Sequence, residues 1–496
     1  MQLLKLPLLA LLTSWCALAH AQNLPISVQK ALRNANVPTQ AMSAYVAELS
    51  NTEVPRLLFR ENEMMQPASV MKIVTTFAAL EHLGADYTWK TQFLADGKID
   101  SGVLNGNLVI KGSGDPKWVV ERIEKDFSIL KQAGLHQIKG DLVLDRSSFQ
   151  MPASDPNQFD GDPLKPYNAT PDGLLVNFKS ITFTFSPPDP NIHNSDPLPK
   201  ANITSLPPLA DVQVDNTVPL RSGACGDWKT QLAPLFLSNG DIHFGGSYAA
   251  ACGERTWSIA YPNPDAFAAH VLKAMLQNSQ IELLGKVRFD SAPKTAQILY
   301  QGPSLPLSSI IQDVNKYSNN VMAQQVFLTL GLENNSNTNF INARQNLNRW
   351  WREKIGSQFV APVLENGSGL SRIEKITASS AAQLLKVASL HPQGNIFLQS
   401  LPIVGVDGTA KIMGTRLGNS PAIGKVFVKT GTLRDVIAIA GYAIANSGKR
   451  YIVVGMINHD NASMARPALD ALIEYAVKDE EVQLVAFKTK KKRSSP

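Results

Sequence analysis

Three short groupings carry residues able to do covalent chemistry. The first pairs Ser69 with Lys72 in Pro67-Ala-Ser-Val-Met-Lys72. Apolar Val70, Ile73, Val74, Phe77 and Leu80 recur at a helical period, so the spacing predicts a helix with Ser69 in its first turn and Gly84 as its stop. Residues three apart on a helix share a face, which brings an amine toward the hydroxyl. Such a hydroxyl attacks a carbonyl once a base takes its proton. A free lysine titrates near ~10.4, and a base working near neutral pH needs about 7–8, a difference worth about 4 kcal/mol. A helix N-terminus supplies about 0.3–1 kcal/mol, or ~2 when partly buried. Desolvation or a second cation must do the rest. Lys429, in Lys429-Thr-Gly-Thr432, is the candidate second cation. The remaining grouping, Ser318-Asn-Asn320, sits at a loop-to-helix start, where alone it reads as an N-cap.

Two stretches of mixed texture must position these groups. Residues 22–42 read as a helix with a loop, 44–49 and 56–59 as strands, and the Ser69 helix follows. From about 88 the texture changes to short β-like runs such as 107–110, 141–144 and 181–185, broken by Gly and Pro and continuing to Tyr300. Helical texture returns near 304. The segments 306–315, 318–330, 340–354, 377–390 and 395–401 read as helices, 425–430 as a strand, 437–445 and 451–458 as a hairpin, and 465–478 as a last helix. The two flanks thus read as one α/β (α+β) domain whose sheet takes strands from both ends, with the middle inserted. Gly112-Ser-Gly-Asp-Pro116 lacks a following Gly-Lys-Ser/Thr and reads as a turn, not a phosphate loop.

A chain of 496 residues is long enough for two or three domains, and 44% hydrophobic with 18% charged residues describes a globular protein. The net charge of +6 is spread along the chain, which gives no nucleic-acid footprint. Lys5, the apolar run 6–12 and Ala19-His-Ala21 read as a secretory signal cleaved before Gln22. No later stretch reads as a transmembrane helix, so a soluble exported protein is expected. Cys225 and Cys252 then form an even pair in an exported chain, which suggests a disulfide. The eight histidines are isolated and no metal-ligand spacing occurs. At the C-terminus Lys488, Lys490, Lys491, Lys492 and Arg493 crowd together. Such a tail is solvated or weakly attracted to anionic lipid or wall polymer.

Ser-x-x-Lys, then Ser-x-Asn, then Lys-Thr-Gly, in this order, is the signature of penicillin-binding proteins and class A β-lactamases. The chain resembles the class C low-molecular-weight penicillin-binding proteins, the D-alanyl-D-alanine carboxypeptidase/endopeptidase family (peptidase family S13). The likeness extends over nearly the whole mature length. It rests also on Gly112-Ser-Gly-Asp-Pro116, Pro166-Tyr-Asn-Ala169, Asn366-Gly-Ser-Gly-Leu-Ser-Arg372, Val406-Asp-Gly-Thr409, Lys429-Thr-Gly-Thr-Leu-Arg434 and the large insertion, which β-lactamases lack. Asn366 stands where the family usually has aspartate.

The resemblance implies an antiparallel sheet with helices on both faces, interrupted by one or two extra domains. The implied boundaries are 22–88 with 304–484 for the catalytic domain, 89–170 with 259–303 for a second, 171–258 for a third, and 485–496 for the tail. It implies Ser69 as nucleophile, Lys72 as base, Ser318 as proton relay, Asn320 bonded to Lys72 or the substrate amide, and Lys429 as electropositive partner. Thr430 and Thr432 would bind a terminal carboxylate. The N–H groups of Ser69 and Thr432, with Gly431 between the threonines, would receive the oxyanion. Asp162, Tyr167 and Arg372, with Leu433 on the wall, would take the free end of the peptide's diamino acid. Peptidoglycan peptides and β-lactams are the implied partners, the periplasm the implied compartment, and no cofactor or metal is implied. A homodimer is left open. A β-lactamase, or a non-enzymatic β-lactam-sensing or wall-binding module, are the competing readings.

Overall fold

The computed structural model describes residues 23–152, 157–188, 199–332 and 337–479. The expected leader (1–21) and basic tail (485–496) lie outside the described residues. A five-stranded antiparallel sheet ties the two flanking stretches together. Its order is Val426–Leu433, Val436–Ile444, Arg450–Asn458, Met42–Glu48, Leu57–Phe59. Met42 faces Ile457 and Glu48 faces Tyr451, so strands some four hundred residues apart in sequence are neighbours.

Strands with both faces covered are apolar almost throughout, because successive side chains point to opposite sides. Along Val436–Ile444, Ala438, Ala440 and Tyr442 join the cluster that holds Ile73, Phe77, Ala381 and Leu385. Ile437, Ile439 and Ala443 join Val28, Leu32, Leu469 and Leu472 on the other side. The helix Lys72–Leu83 is buried from Lys72 through Leu80, and Asn320–Thr329 is buried along its whole length. A helix apolar on all sides belongs inside a core. Phe77 lies edge-on to Trp350, His391 and Phe397, and burying a ring of that size is worth about 1.5–3 kcal/mol. The helix stops at Gly84, whose φ of +86° suits glycine and whose N–H bonds the Leu80 carbonyl.

The chain leaves for its insertion along Lys90–Asp100 and returns along Gln297–Pro303, which pair with each other. These strands belong to a seven-stranded sheet that also contains Val103–Lys111, Gln137–Ile138 and Leu142–Asp145. A second sheet runs Tyr248–Ala249, Thr217–Arg221, Lys200–Leu206, Ser180–Ser186, Arg255–Ala260. The sequence reading of this region as strands and loops alone is corrected here. It holds two long helices, Val120–Gln132 and Pro264–Asn278. Val120, Ile123, Phe127 and Leu130 form a buried helical stripe, and Asn263 caps the second helix by accepting the Ala266 N–H. One apolar cluster joins both sheets and both helices, with Phe93, Phe127, Phe183, Phe185 and Phe267 at its centre.

Cys225 and Cys252 form the expected disulfide within the insertion. The glycine-rich segment after residue 111 is a structural turn. Asp115 there accepts the Lys117 N–H and pairs with Arg122 at 2.6 Å, and Ser113 Oγ accepts the Lys90 N–H.

Candidate active site

Ser69 lies in a 3-10 turn, Ala68–Met71, that leads into the helix beginning at Lys72. The residue before it, Ala68, holds a φ of +47°, a left-handed conformation that costs about 1–3 kcal/mol outside glycine. Its neighbours enforce it. Gly369 and Gly431 both pack against this turn, where a Cβ would come within 1.9 Å of the Ala68 oxygen and 2.4 Å of the Pro67 oxygen respectively.

The Lys72 amine is wholly buried and has three neighbours. It lies 2.9 Å from Ser69 Oγ, 2.7 Å from Asn320 Oδ1 and 2.5 Å from the Ser368 carbonyl oxygen. The last two atoms can only accept. A neutral amine has two N–H bonds to give them, and its lone pair is then left for the Ser69 hydroxyl. Burial, and next the charge of Lys429, hold Lys72 well below the ordinary amine range, while Glu374 pulls the other way. Desolvation is therefore the larger cause and the second cation the smaller.

Lys429 sits on the edge strand Val426–Leu433, also fully buried. It donates to Ser318 Oγ at 3.0 Å and to the Thr430 carbonyl at 2.9 Å, and burial brings it down to about 7. Period-two alternation settles which backbone groups line the cleft. The Val428 N–H points outward to the Pro402 carbonyl, so the N–H groups of Thr430 and Thr432 point to the same open edge. Thr430 Oγ1 meets Thr409 Oγ1 at 2.7 Å.

Ser318 is not the helix cap that its position suggested. It closes the preceding helix, Leu307–Tyr317, in a left-handed conformation with φ +60°, and Asn319 caps the next one by accepting the Met322 N–H. That kink turns the Ser318 hydroxyl toward Lys429 while Asn320, two residues further on, faces Lys72. Of the two partners expected for Asn320, its oxygen takes Lys72, and its Nδ2 donates to the Tyr167 carbonyl at 3.2 Å.

Two participants escaped sequence reading. The Ser368 carbonyl belongs to the loop Asn366-Gly-Ser-Gly369. Glu374, fully buried, organises that loop by accepting the N–H groups of Glu365, Asn366, Gly367 and Gly369 at 2.7–2.9 Å. The glycines Gly367 and Gly369, both at positive φ, were the available signal. Asn366 itself donates to the Leu370 carbonyl at 2.9 Å, a bond an ionised aspartate could not make.

The expected side-chain pocket is brought together only in part. Arg372 pairs with Asp435 at 2.7 Å, stacks over Phe159 at 5.0 Å, and lines a cavity of about 420 Å³ with Phe159 and Asn168. Tyr167 donates to Asp160, not Asp162, and lines a separate groove of about 670 Å³ with Ser318 and Asn320. Asp162 pairs with Lys165 at 3.5 Å, and Leu433 lies at the end of the Lys429 strand. Among the described residues no group of histidine, cysteine or carboxylate side chains could hold a metal, and no helix is long and apolar enough to cross a membrane.

Two serine hydroxyls, each bonded to its own buried lysine amine, beside an antiparallel sheet covered by helices, define an enzyme of the serine acyl-transfer class. The chain belongs to the D-Ala-D-Ala carboxypeptidase 3 (S13) family, which it matches over residues 24–476. It is 27% identical to the D-alanyl-D-alanine carboxypeptidase DacB of Haemophilus influenzae over 400 residues, covering 81% of this chain and 82% of that one. It is 26% identical over 431 residues to a D-alanyl-D-alanine carboxypeptidase of Actinomadura sp., covering 84% and 78%. The crystal structure of penicillin binding protein 4 from Haemophilus influenzae shares the fold, with a TM-score of 0.74 and 23% identity across 92% of this chain and 100% of that one.

Proposed function

We propose that this protein is a serine-type D-alanyl-D-alanine carboxypeptidase and DD-endopeptidase of peptidoglycan stem peptides, and that penicillin acylates it at the same serine. The observation that carries the reading is the Lys72 amine, 2.9 Å from Ser69 Oγ with both its N–H bonds already engaged. Ser69 Oγ attacks the carbonyl carbon of the penultimate D-alanine as its proton passes to Lys72. The carbonyl oxygen becomes an oxyanion held by the N–H groups of Ser69 and Thr432, where one donor is typically worth about 3–4 kcal/mol. The C–N bond then breaks. Ser318 gives its proton to the leaving amine and recovers one through Lys72, while Lys429 keeps the site positive. Water hydrolyses the resulting ester with the same base. Thr430 and Thr432 bind the terminal carboxylate. A β-lactam follows the first half of this course and stalls as the ester.

The same reading assigns 22–88 with 304–484 to the catalytic domain, 89–170 with 259–303 and 171–258 to two inserted domains, and the mature protein to the periplasm after removal of a leader. The diamino-acid side chain of the substrate is assigned to the surface carrying Arg372, Tyr167, Asp162 and Leu433. The test is direct. The wild-type protein should release D-alanine from a pentapeptide ending in D-Ala-D-Ala and form a covalent adduct with labelled penicillin. Ser69→Ala should do neither, and a surviving adduct in that variant overturns the assignment.

A further inference from the structure

The cavity at Ser69 continues past the carboxylate-binding threonines. It measures about 230 Å³, and besides Ser69, Thr430 and Thr432 its lining includes Thr409, Met413, Arg416 and Arg466. This lies on the side where a departing group sits, because Thr430 and Thr432 take the carboxylate of the residue that leaves. A departing D-alanine ends at that carboxylate and has nothing to place further on.

The two arginines differ. Arg416 is engaged with a nearly buried carboxylate, since Nε and Nη2 donate to Asp470 at 2.7 and 3.0 Å. Its charge is answered within the protein. Arg466 donates through Nη1 to the Ser463 carbonyl at 2.8 Å and has no carboxylate partner among the described residues. A guanidinium carries five N–H donors in a planar fork that fits a carboxylate. None of the residues lining this cavity is acidic.

We infer that Arg466 binds a second carboxylate on the leaving-group side, so that the site is built for a leaving fragment that is itself an acidic peptide, as in a cross-linked pair of stem peptides. The inference rests on the peptidase reading above and deepens it. Hydroxyls at Thr409, Thr430 and Thr432 hold the carboxylate next to the scissile bond, and Arg466 holds one further along the departing chain. A single D-alanine uses only the first of these two anchors.

The test compares a cross-linked tetrapeptide dimer with a pentapeptide ending in D-Ala-D-Ala, using wild type, Arg466→Ala and Arg466→Lys. In Arg466→Ala the ratio of kcat/KM for dimer over pentapeptide should fall at least fivefold, carried by KM, and Arg466→Lys, which keeps the charge but not the fork, should recover part of it. A ratio that does not move, or one that Arg466→Lys fails to recover, overturns the inference. Raising salt on the wild-type protein gives a reading that needs no variant to fold. KM for the dimer should rise with ionic strength more steeply than KM for the pentapeptide, and equal slopes count against Arg466. If the wild-type protein cleaves neither peptide, it is the peptidase reading itself that falls.

Discussion

Glu374 and Lys429 press on Lys72 in opposite directions. One lies on the 366–374 loop and the other on the edge strand, and the charge of each bears on the Lys72 amine. In the proposed mechanism, Lys72 below its folded pKa carries a proton and cannot take another from Ser69, so acylation should fall as the pH drops through that value. Lys429 lowers the value, and Lys429→Met should move the acid limb of penicillin acylation to higher pH while slowing the reaction about 10²-fold or more. Glu374 raises it, and Glu374→Gln should move the same limb to lower pH. Measuring the acylation rate across pH for both variants checks the pair. Limbs that stay still, or move in the same direction, would show that Lys72 is not the titrating base. Loss of packing alone lowers the rate at every pH without moving the limb.

At the scale of elements, the turn that bears Ser69 is clamped between the Gly369 loop and the Gly431 strand. Gly369 has a φ of +80°, and a Cβ there would sit 1.9 Å from the Ala68 oxygen. Gly369→Ala should therefore displace the loop and take the Ser368 carbonyl away from Lys72. The expected cost is about 1–3 kcal/mol of stability and a tenfold or greater loss in acylation rate, checked by thermal unfolding and labelled penicillin. The helix Lys72–Leu83 was legible beforehand because its period and its glycine stop agree, although Ser69, expected in its first turn, sits in the 3-10 turn that precedes it. The helix Val120–Gln132 carries an equally clear period but lies among short strands, and the surrounding texture hid it. Ser318 was read as a cap because Ser is a favoured capping residue. Its left-handed backbone belongs to a two-residue junction, Ser318 and Asn319, between two helices, which only the packing of both reveals. Glu374 was invisible for a related reason, since a lone glutamate acquires meaning only when four N–H groups converge on it.

At the scale of the whole molecule, the flanks and the insertion each hold large apolar clusters of their own, and the disulfide belongs to the insertion. The Cys225–Cys252 bond closes a loop with a sequence separation of 27 residues. In the chain-entropy account such a link stabilises by about 3–4 kcal/mol. The double substitution Cys225→Ser with Cys252→Ser should lower the unfolding temperature of the insertion, while penicillin acylation at Ser69 persists at temperatures below that transition. Calorimetry together with labelled penicillin separates the two. Acylation lost at low temperature would mean that the insertion's integrity governs the reactive serine directly. The division into flanks and insertion was legible from texture. The sharing of one apolar cluster by both inserted sheets was not, because it depends on which faces of distant strands meet.

The pairing of Met42–Glu48 with Arg450–Asn458 also sets an order in time. As the chain lengthens, the first of these strands pairs early with Leu57–Phe59 on one side, but its other neighbour is missing until residues 450–458 are free. The insertion's entry and exit strands, by contrast, meet once residue 303 is free. The inserted part is thus complete while the reactive part is still open, and closing the larger loop adds only slowly growing entropy once the smaller one is compact. Until the final hairpin arrives, the sheet at which Lys72 and Lys429 are buried stays open, while the inserted part already has its own paired sheet.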